Sequence, residues 1–228
     1  MFGWNGAKRQ KTYLASKGAE GGYRAKTGVM SGVVSGTKVA TEFGWRDVAS
    51  LQAGDLVLTF DGGLQPISSV SRTPLWSGEG ACPRNFWPLL VPAGVLENDV
   101  AMVLLPRQGV MLESDVAEET LGDPFAIVPA AALEGVHGIE RVFPQDDMCV
   151  VTLHFDCAQV VFAEQGALLF SAAGGDMLDT ATRAFDATPA YTVLSLVLAT
   201  EVIQSGAVWA CNFMKYGQID GELWRVLI

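Results

Sequence analysis

The sequence predicts an all-β protein. From Val29 to Ser171, short apolar runs are broken at frequent intervals by glycine, proline and aspartate, as in strands joined by tight turns. The run at 56–60 is rich in aliphatic and β-branched residues, which favours a strand. The sequence Asp61-Gly62-Gly63 that follows it is typical of a β-hairpin turn. These observations predict a β domain over residues 29–171.

The other elements follow along the chain from the same signals. Residues 73–83 are rich in Gly, Ser and Pro and are predicted as a loop, and 159–164 is predicted to close a hairpin over Asp156-Cys157. The apolar run 160–162 is predicted to be buried on both faces. The other predicted strands are 37–41, 64–70, 87–95 with its turn, 101–105, 110–113, 126–133 with its turn, 139–143 and 148–155.

Helix is predicted mainly after Gly175. Residues 178–184 have a helical pattern, and Pro189 is placed to begin a longer helix across the apolar run 191–210. That run contains Glu201 and Gln204, so we expect it to pack on the protein rather than to span a membrane. The predicted division is a flexible basic leader (1–28), the β domain (29–171) and a helical C-terminal appendage (172–228).

Composition and charge argue against one class of partner. The 228 residues are 50% hydrophobic and carry a formal net charge of −10. The first 31 residues carry a net charge of +5, from six basic residues against Glu20, so the remainder carries −15. An acidic body argues against nucleic acid as the main partner, since phosphate binding needs clustered cations.

Targeting signals and metal motifs are absent from the sequence. Lysine and arginine follow residues 1–6 where a secretory signal would have an apolar core, so we expect a cytoplasmic protein. The cysteines have no Cys-x-x-Cys pair and no metal-ligand spacing, which favours scattered thiols in a reducing compartment. They are Cys82, Cys149, Cys157 and Cys211. No cofactor is predicted.

The stretch 35–67 resembles the opening of the hedgehog/intein (Hint) domain family, and is most similar to its alphaproteobacterial branch. The resemblance lies in an ordered, ungapped series of positions. These are Gly36-Thr37, Thr41, Gly44, Val48, Leu51, Gly54-Asp55, Val57, Thr59, Asp61 and Gly63. Three later segments are also similar to family motifs: WPLLVPAGVL (87–96), VPAAAL (128–133) and VVFAEQGALLFS (160–171). The resemblance implies a horseshoe of interwoven β-hairpins and self-cleavage or splicing at the bond before the first residue.

The chemistry implied by the resemblance needs residues that this sequence lacks. The family's first residue is a nucleophile, typically Cys, four positions before the Gly-Thr pair, and that position is Gly32. The family's general acid is a His, and Gln108 stands at the matching position. Gln cannot transfer a proton near neutral pH. A further family His, in the closing segment, corresponds to Ala158.

Three other residues are candidate substitutes. Ser31 could attack only if the strand register slipped, and a slip of one residue turns a side chain to the opposite face. Cys157 needs a lowered pKa to be reactive. His154 is favoured as a structural histidine, and His137 as an exposed turn residue.

Paired or polar residues elsewhere have structural explanations. Asp146-Asp147 is predicted to face solvent, and Asp55 and Asp61 to stabilise turns. Asn212 lacks the neighbours that end a splicing intein.

Three hypotheses follow from the sequence. The leading one is a Hint domain that has kept the scaffold, lost autoprocessing and serves as a structural or binding module. The second is an active autoprocessing domain that uses Ser31 or Cys157. The third keeps the fold as a passenger in a secreted or phage-derived context.

Overall fold

The structure, a computed structural model, describes residues 28–174, 191, 193–204 and 208–209. Strands dominate this part of the chain, which confirms the predicted all-β class. The elements in the described residues are β1 (Val33–Val34), β2 (Lys38–Thr41), β3 (Gly44–Asp47), β4 (Leu56–Thr59), β5 (Gly63–Pro66), β6 (Ser69–Pro74), β7 (Leu89–Val91), β8 (Met102–Leu104), β9 (Gly109–Ser114), α1 (Asp115–Leu121), β10 (Phe125–Pro129), β11 (Glu140–Arg141), β12 (Cys149–His154), β13 (Gln159–Ala163), β14 (Ala167–Ser171), α2 (Leu196–Gln204) and β15 (Val208–Trp209).

These strands form two antiparallel sheets. The six-stranded sheet has the order β11-β7-β8-β1-β12-β6. The larger sheet has the order β10-β9-β14-β13-β2-β4-β5, with β15 added on β9 and β3 on β2. The predicted hairpin turn at 61–63 joins β4 to β5, with Thr59 opposite Gly63.

The main hydrophobic core joins the two sheets. Val33 and Val151 of the smaller sheet and Val161 and Leu169 of the larger one belong to the same buried cluster. Strand β13 is buried on both faces, because Val160 and Phe162 lie in a second cluster on the opposite side from Val161. The prediction that 160–162 is buried is confirmed.

Helix α1 was not predicted from the sequence, which placed helix mainly beyond residue 175. The Ser114 side chain accepts a hydrogen bond from the Ala117 N–H at the helix start. Acidic Asp115 and Glu118 lie in the first turn, where the helix dipole favours negative charge. The capping serine and the acidic first turn are therefore a helix signal in the sequence. The signal was missed because the helix is short and directly follows the predicted strand 110–113.

The hairpin predicted over Asp156-Cys157 is wrong. Strand β12 belongs to the six-stranded sheet and β13 to the larger sheet, so residues 155–158 cross from one sheet to the other. Strand β13 pairs instead with β14, β2 and β4. The alternating pattern on either side of the turn predicts both strands, but it does not indicate which strands each of them pairs with.

The C-terminal helix is shorter than predicted. Residue 191 and residues 193–195 precede α2 without being helical, and Val208–Trp209 is a strand. Leu194, Ala199 and Val202 belong to the main core cluster, so this segment packs on the β domain as expected. The leader and the helix predicted over 178–184 fall outside the described residues, and the three-part division stays a prediction.

Tyr191 attaches the start of this segment to the larger sheet. Its hydroxyl donates a hydrogen bond to Asp61, in the turn between β4 and β5, and its ring packs edge-on against Phe170. Burial and the neighbouring Asp61 carboxylate raise the pKa of Tyr191 above its ordinary value. None of the helices in the described part of the chain is long and apolar enough to cross a bilayer.

Replacing Val161 with Asp should destabilise the protein by about 3 kcal/mol or more, because the carboxylate would be buried without a partner. The free energy of unfolding from urea titrations measures the effect. Val100→Asp makes the same change at a residue that is 54% exposed, and should cost less than about 0.5 kcal/mol. Equal stability of the two variants would contradict the burial of β13.

Tyr191→Phe should cost about 1 kcal/mol at pH 8, from loss of the hydrogen bond to Asp61. A tyrosine whose pKa is raised by folding contributes stability below its unfolded pKa of about 10. That contribution is lost as the pH rises, since the unfolded chain then loses a proton that the folded chain keeps. The difference between wild type and variant in urea titrations should therefore shrink from pH 8 to pH 10.5. A difference that grows with pH would contradict the attachment.

Candidate functional site

The chain enters the site along residues 28–31 and continues into β1. The Arg107 N–H donates to the Met30 carbonyl oxygen at 2.7 Å, which fixes the chain just before Gly32. Strand β1 then inserts between β8 and β12, with Val33 opposite both Leu104 and Val151. Residue 32 therefore lies just before the first strand of the six-stranded sheet, and Gln108 links it to the larger sheet.

A cleft of about 130 Å³ opens beside this entry point, between the two sheets. Its walls combine the entering chain, residues 151–154 of β12, and residues at the end of β14 and just beyond it. The lining residues are Ser31, Gly32, Val33, Gln108, Val151, Thr152, Leu153, His154, Val161, Leu169, Phe170, Ser171, Ala172 and Ala173. Four of the five site residues predicted from the sequence thus line one cleft.

Gly32 leaves no room for a side chain. Its φ is 122°, a conformation that L-residues rarely adopt. A Cβ at this position would lie 2.6 Å from Val150 Cγ1 and 3.1 Å from Thr152 Oγ1. Backbone conformation and packing both require glycine here, so a nucleophilic side chain at residue 32 does not fit the surrounding strand β12.

Gln108 is 1% exposed, and its amide group is fully hydrogen-bonded. Its Oε1 accepts from the Gly32 N–H at 2.9 Å. Its Nε2 donates to the Gly109 carbonyl at 3.0 Å and to the Phe170 carbonyl at 2.8 Å. The two carbonyls fix the orientation of the amide, so its oxygen and not its NH2 group faces Gly32.

His154 is the one titratable side chain among the described residues that line the cleft. Its Nε2 lies 3.3 Å from Ser71 Oγ on the neighbouring strand β6. The chain leaving β14 packs against it, with Ala173 in a parallel bridge to Phe155 and Gly174 close to the His154 Cβ. The lining residues include no Asp or Glu, so no carboxylate among them orients His154 as a general base.

Other candidates lie away from the cleft or are unreactive. Cys157 is exposed and is not among the lining residues, and Ala158 has no functional group. Burial raises the pKa of the Cys82 thiol, which disfavours the nucleophilic thiolate. His137 is exposed, as predicted.

The aspartates singled out from the sequence have mainly structural contacts or are exposed. Asp55 Oδ2 accepts from the Gln52 N–H at 3.0 Å, which confirms its role in the turn. Asp55 is also ion-paired with Arg46 at 3.2 Å, and Asp61 accepts from Tyr191. Asp146 and Asp147 are exposed, as predicted.

Two polar contributors to the site were missed from the sequence. Thr152 lines the cleft and crowds Gly32, and Ser71 contacts His154. The period-two alternation of β12 places Thr152 and His154 on one face, so Thr152 could have been found from the pattern. Ser71 could not, because it lies 83 positions from His154 along the chain and no local pattern pairs the two residues.

The sequence profile of the Hint domain matches residues 32–169, more than half of the chain. The chain belongs to the Hint domain family. The matched region begins at Gly32 and ends in β14, so it contains both sheets and most of the residues around the cleft. No curated protein is significantly similar to this Hint domain chain.

Several solved structures are similar to this Hint domain. The solution structure of a bacterial intein-like domain from Clostridium thermocellum is 13% identical, with a TM-score of 0.46 over 63% of this chain and 100% of that one. The crystal structure of the gp41-1 intein is 12% identical, with a TM-score of 0.38 over 61% and 98%. A splice-inactive, GSH-linked variant of the AceL NrdHF class 3 split intein is 16% identical, with a TM-score of 0.38 over 63% and 99%.

A metal centre is not evident in the described part of the Hint domain chain. No group of three or more His, Cys, Asp or Glu side chains there is arranged to hold an ion. The side chains that line the cleft include hydroxyl groups, one imidazole and the hydrogen-bonded Gln108 carboxamide.

Replacing Gln108 with Leu should destabilise the domain by about 2–4 kcal/mol, since the Gly32 N–H and two carbonyls would lose a buried partner. Chemical denaturation measures the loss. Gln52→Leu, at an exposed position, is the matched control and should change stability by less than about 0.5 kcal/mol. A Gln108→Leu protein as stable as the control would mean that water or another group replaces these bonds.

Gly32→Ala should destabilise the domain more than Gly36→Ala. Both residues have positive φ, at 122° and 95°, and both variants carry a backbone strain of about 1–2 kcal/mol. A Cβ at Gly36 meets no atom within 4 Å, whereas a Cβ at Gly32 overlaps Val150 and adds about 1–3 kcal/mol. Thermal melts of the pair isolate the steric contribution, and equal melting temperatures would contradict the crowding at residue 32.

Proposed function

We propose that this Hint domain has lost autoprocessing and acts as a structural or binding module that keeps the preceding segment attached. The observation that carries the proposal is the conformation and packing of Gly32, which leave no space for a nucleophilic side chain. In the family reaction, as the resemblance implies it, that residue attacks the preceding carbonyl. Without an attacking group the acyl shift has no first step.

The environment of the Ser31–Gly32 amide supports the same proposal. Cleavage requires a proton donor at the departing nitrogen. Here the group that faces the Gly32 nitrogen is the Gln108 carbonyl oxygen, which only accepts hydrogen bonds. The Gln108 NH2 group is directed at two backbone carbonyls and does not reach the amide. The arrangement stabilises the intact amide rather than its cleavage.

The direct test is the intact mass of the full-length protein. We expect one species at full length after prolonged incubation, with or without dithiothreitol or hydroxylamine, which cleave thioesters and esters. A fragment ending at Ser31 whose release is accelerated by hydroxylamine would overturn the proposal. Boiled protein in the same buffers is the control for non-enzymatic hydrolysis.

A second candidate function, active autoprocessing, uses Ser31 as the nucleophile. Two observations favour it: Ser31 and His154 line the same cleft, and the Met30 carbonyl accepts a hydrogen bond from the Arg107 N–H, as an oxyanion would. In that reaction Ser31 Oγ attacks the Met30 carbonyl, the Met30–Ser31 amide breaks and an ester forms. A hydroxylamine-dependent fragment ending at Met30, lost in Ser31→Ala, would establish it.

Restoring family-like residues should not restore cleavage. Gly32→Cys with Gln108→His supplies a thiol and an imidazole, but the new Cβ still overlaps Val150. The imidazole also cannot satisfy the Gly32 N–H and both carbonyls that Gln108 bonds. We expect the double variant to be less stable than wild type and uncleaved. Thiol-dependent release of a fragment ending at residue 31 would show that the cleft can rearrange.

A further inference from the structure

The backbone of residues 28–30 is bound by Leu75, Trp76 and Arg107, which together with the Phe86 ring form what we call the groove. Gly28 forms an antiparallel bridge with Trp76, and the Val29 N–H donates to the Leu75 carbonyl at 2.9 Å. The Met30 carbonyl accepts from the Arg107 N–H at 2.7 Å. The segment is therefore held in the way that a peptide is held when it adds to the edge of a sheet.

A phenyl ring covers this segment at Gly28. A Cβ at Gly28 would overlap the Phe86 ring, with Cε1 only 2.5 Å away. Unlike Gly32, residue 28 is not among the positive-φ residues, so the demand for glycine is steric. Any larger residue at position 28 must displace the ring or leave the groove.

The Phe86 ring is supported on several sides. It packs against Trp76, with ring centroids 5.3 Å apart, and the Trp76 Nε1–H donates to the Gly80 carbonyl at 3.3 Å. The turn Arg84–Phe86 is held by a hydrogen bond from the Arg141 guanidinium to the Arg84 carbonyl at 3.4 Å. A ring fixed in this way resists the displacement that a residue other than glycine would need.

The groove also holds Val29. Its side chain packs against the buried cluster of Val34, Leu75, Cys82, Leu105 and Val150. Val29 is half-buried there, so the groove combines a contact for an aliphatic side chain with a position where a Cβ overlaps the Phe86 ring. Backbone hydrogen bonds supply affinity in such a groove, and these two positions supply selectivity.

We propose that this groove is a sequence-selective peptide-binding site. Its ligand is the chain's own extended segment 28–30, in which glycine is followed by an aliphatic residue, and Phe86 is the residue that sets the preference for glycine. This goes beyond the proposed loss of cleavage, because the groove would hold the segment whether or not the bond that follows Ser31 is intact.

The first experiment measures amide hydrogen exchange in full-length protein. Gly28→Val should speed exchange at the Val29 amide at least tenfold, because the segment leaves the groove. Adding Phe86→Ala to Gly28→Val makes room for the valine and should bring exchange back to within about threefold of wild type. Unchanged Val29 exchange in Gly28→Val, or no rescue by Phe86→Ala, would overturn the role of the ring. If Gly28→Val fails to fold, Gly28→Ala is measured in the same way.

The second experiment tests binding in trans by fluorescence polarisation. A labelled peptide of residues 24–31, RAKTGVMS, should bind full-length Gly28→Val protein at least tenfold more tightly than RAKTVVMS does. Wild-type protein, whose groove is filled by its own segment, should bind both at least tenfold more weakly than the variant binds RAKTGVMS. Equal binding of the two peptides, or no binding to the variant, would refute the proposal.

The two proposals fail in distinguishable ways. A fragment ending at Ser31 in the intact-mass assay would refute the loss of cleavage and leave the exchange and peptide-binding results unaffected. Conversely, a peptide that does not bind would refute the groove while the full-length mass stayed constant.

Discussion

At the junction of the two sheets, one buried side chain makes hydrogen bonds to both of them. Gln108 joins the Gly32 N–H, just before β1 of the smaller sheet, to the carbonyls of Gly109 in β9 and Phe170 in β14 of the larger sheet. A buried amide that is fully bonded specifies one arrangement of the groups around it, whereas a partly bonded one is costly. This contact sets the orientation of the Ser31–Gly32 amide, while the Arg107 N–H holds the entering chain at Met30.

Much of the fold could be predicted from the sequence because its signals are local. The turn residues at 61–63 and the apolar run 160–162 specify a hairpin and a doubly buried strand without reference to the rest of the chain. The partners of β12 and β13 could not be predicted, since pairing over long separations is set by packing in three dimensions. Helix α1 was missed although Ser114 and the acidic first turn signal it, because seven residues between strands present little periodicity.

The candidate site was predicted in composition but not in geometry. The family resemblance implies that Gly32 and Gln108 stand where other Hint domains have a nucleophile and a general acid. It cannot show that Val150 and Thr152 occupy the space of a side chain at residue 32, or that the Gln108 amide is oriented by two carbonyls. Those facts depend on the twist and register of β1 against β12, which no local pattern encodes. They add that the backbone conformation and packing at residue 32 favour glycine, and that an acceptor oxygen faces the Gly32 N–H.

The C-terminal segment covers part of one exposed edge of the larger sheet. Strand β10 is an end of the larger sheet, where unpaired backbone groups would invite a strand of another molecule. Val193 bridges Ile127 of β10, and the Leu194 N–H donates to the Ile127 carbonyl at 2.8 Å. At the opposite end, β5 is four residues long and finishes with Pro66, which has no N–H to offer. These two ends of the strand order are thus blunted, which disfavours pairing with a strand of another molecule at either of them.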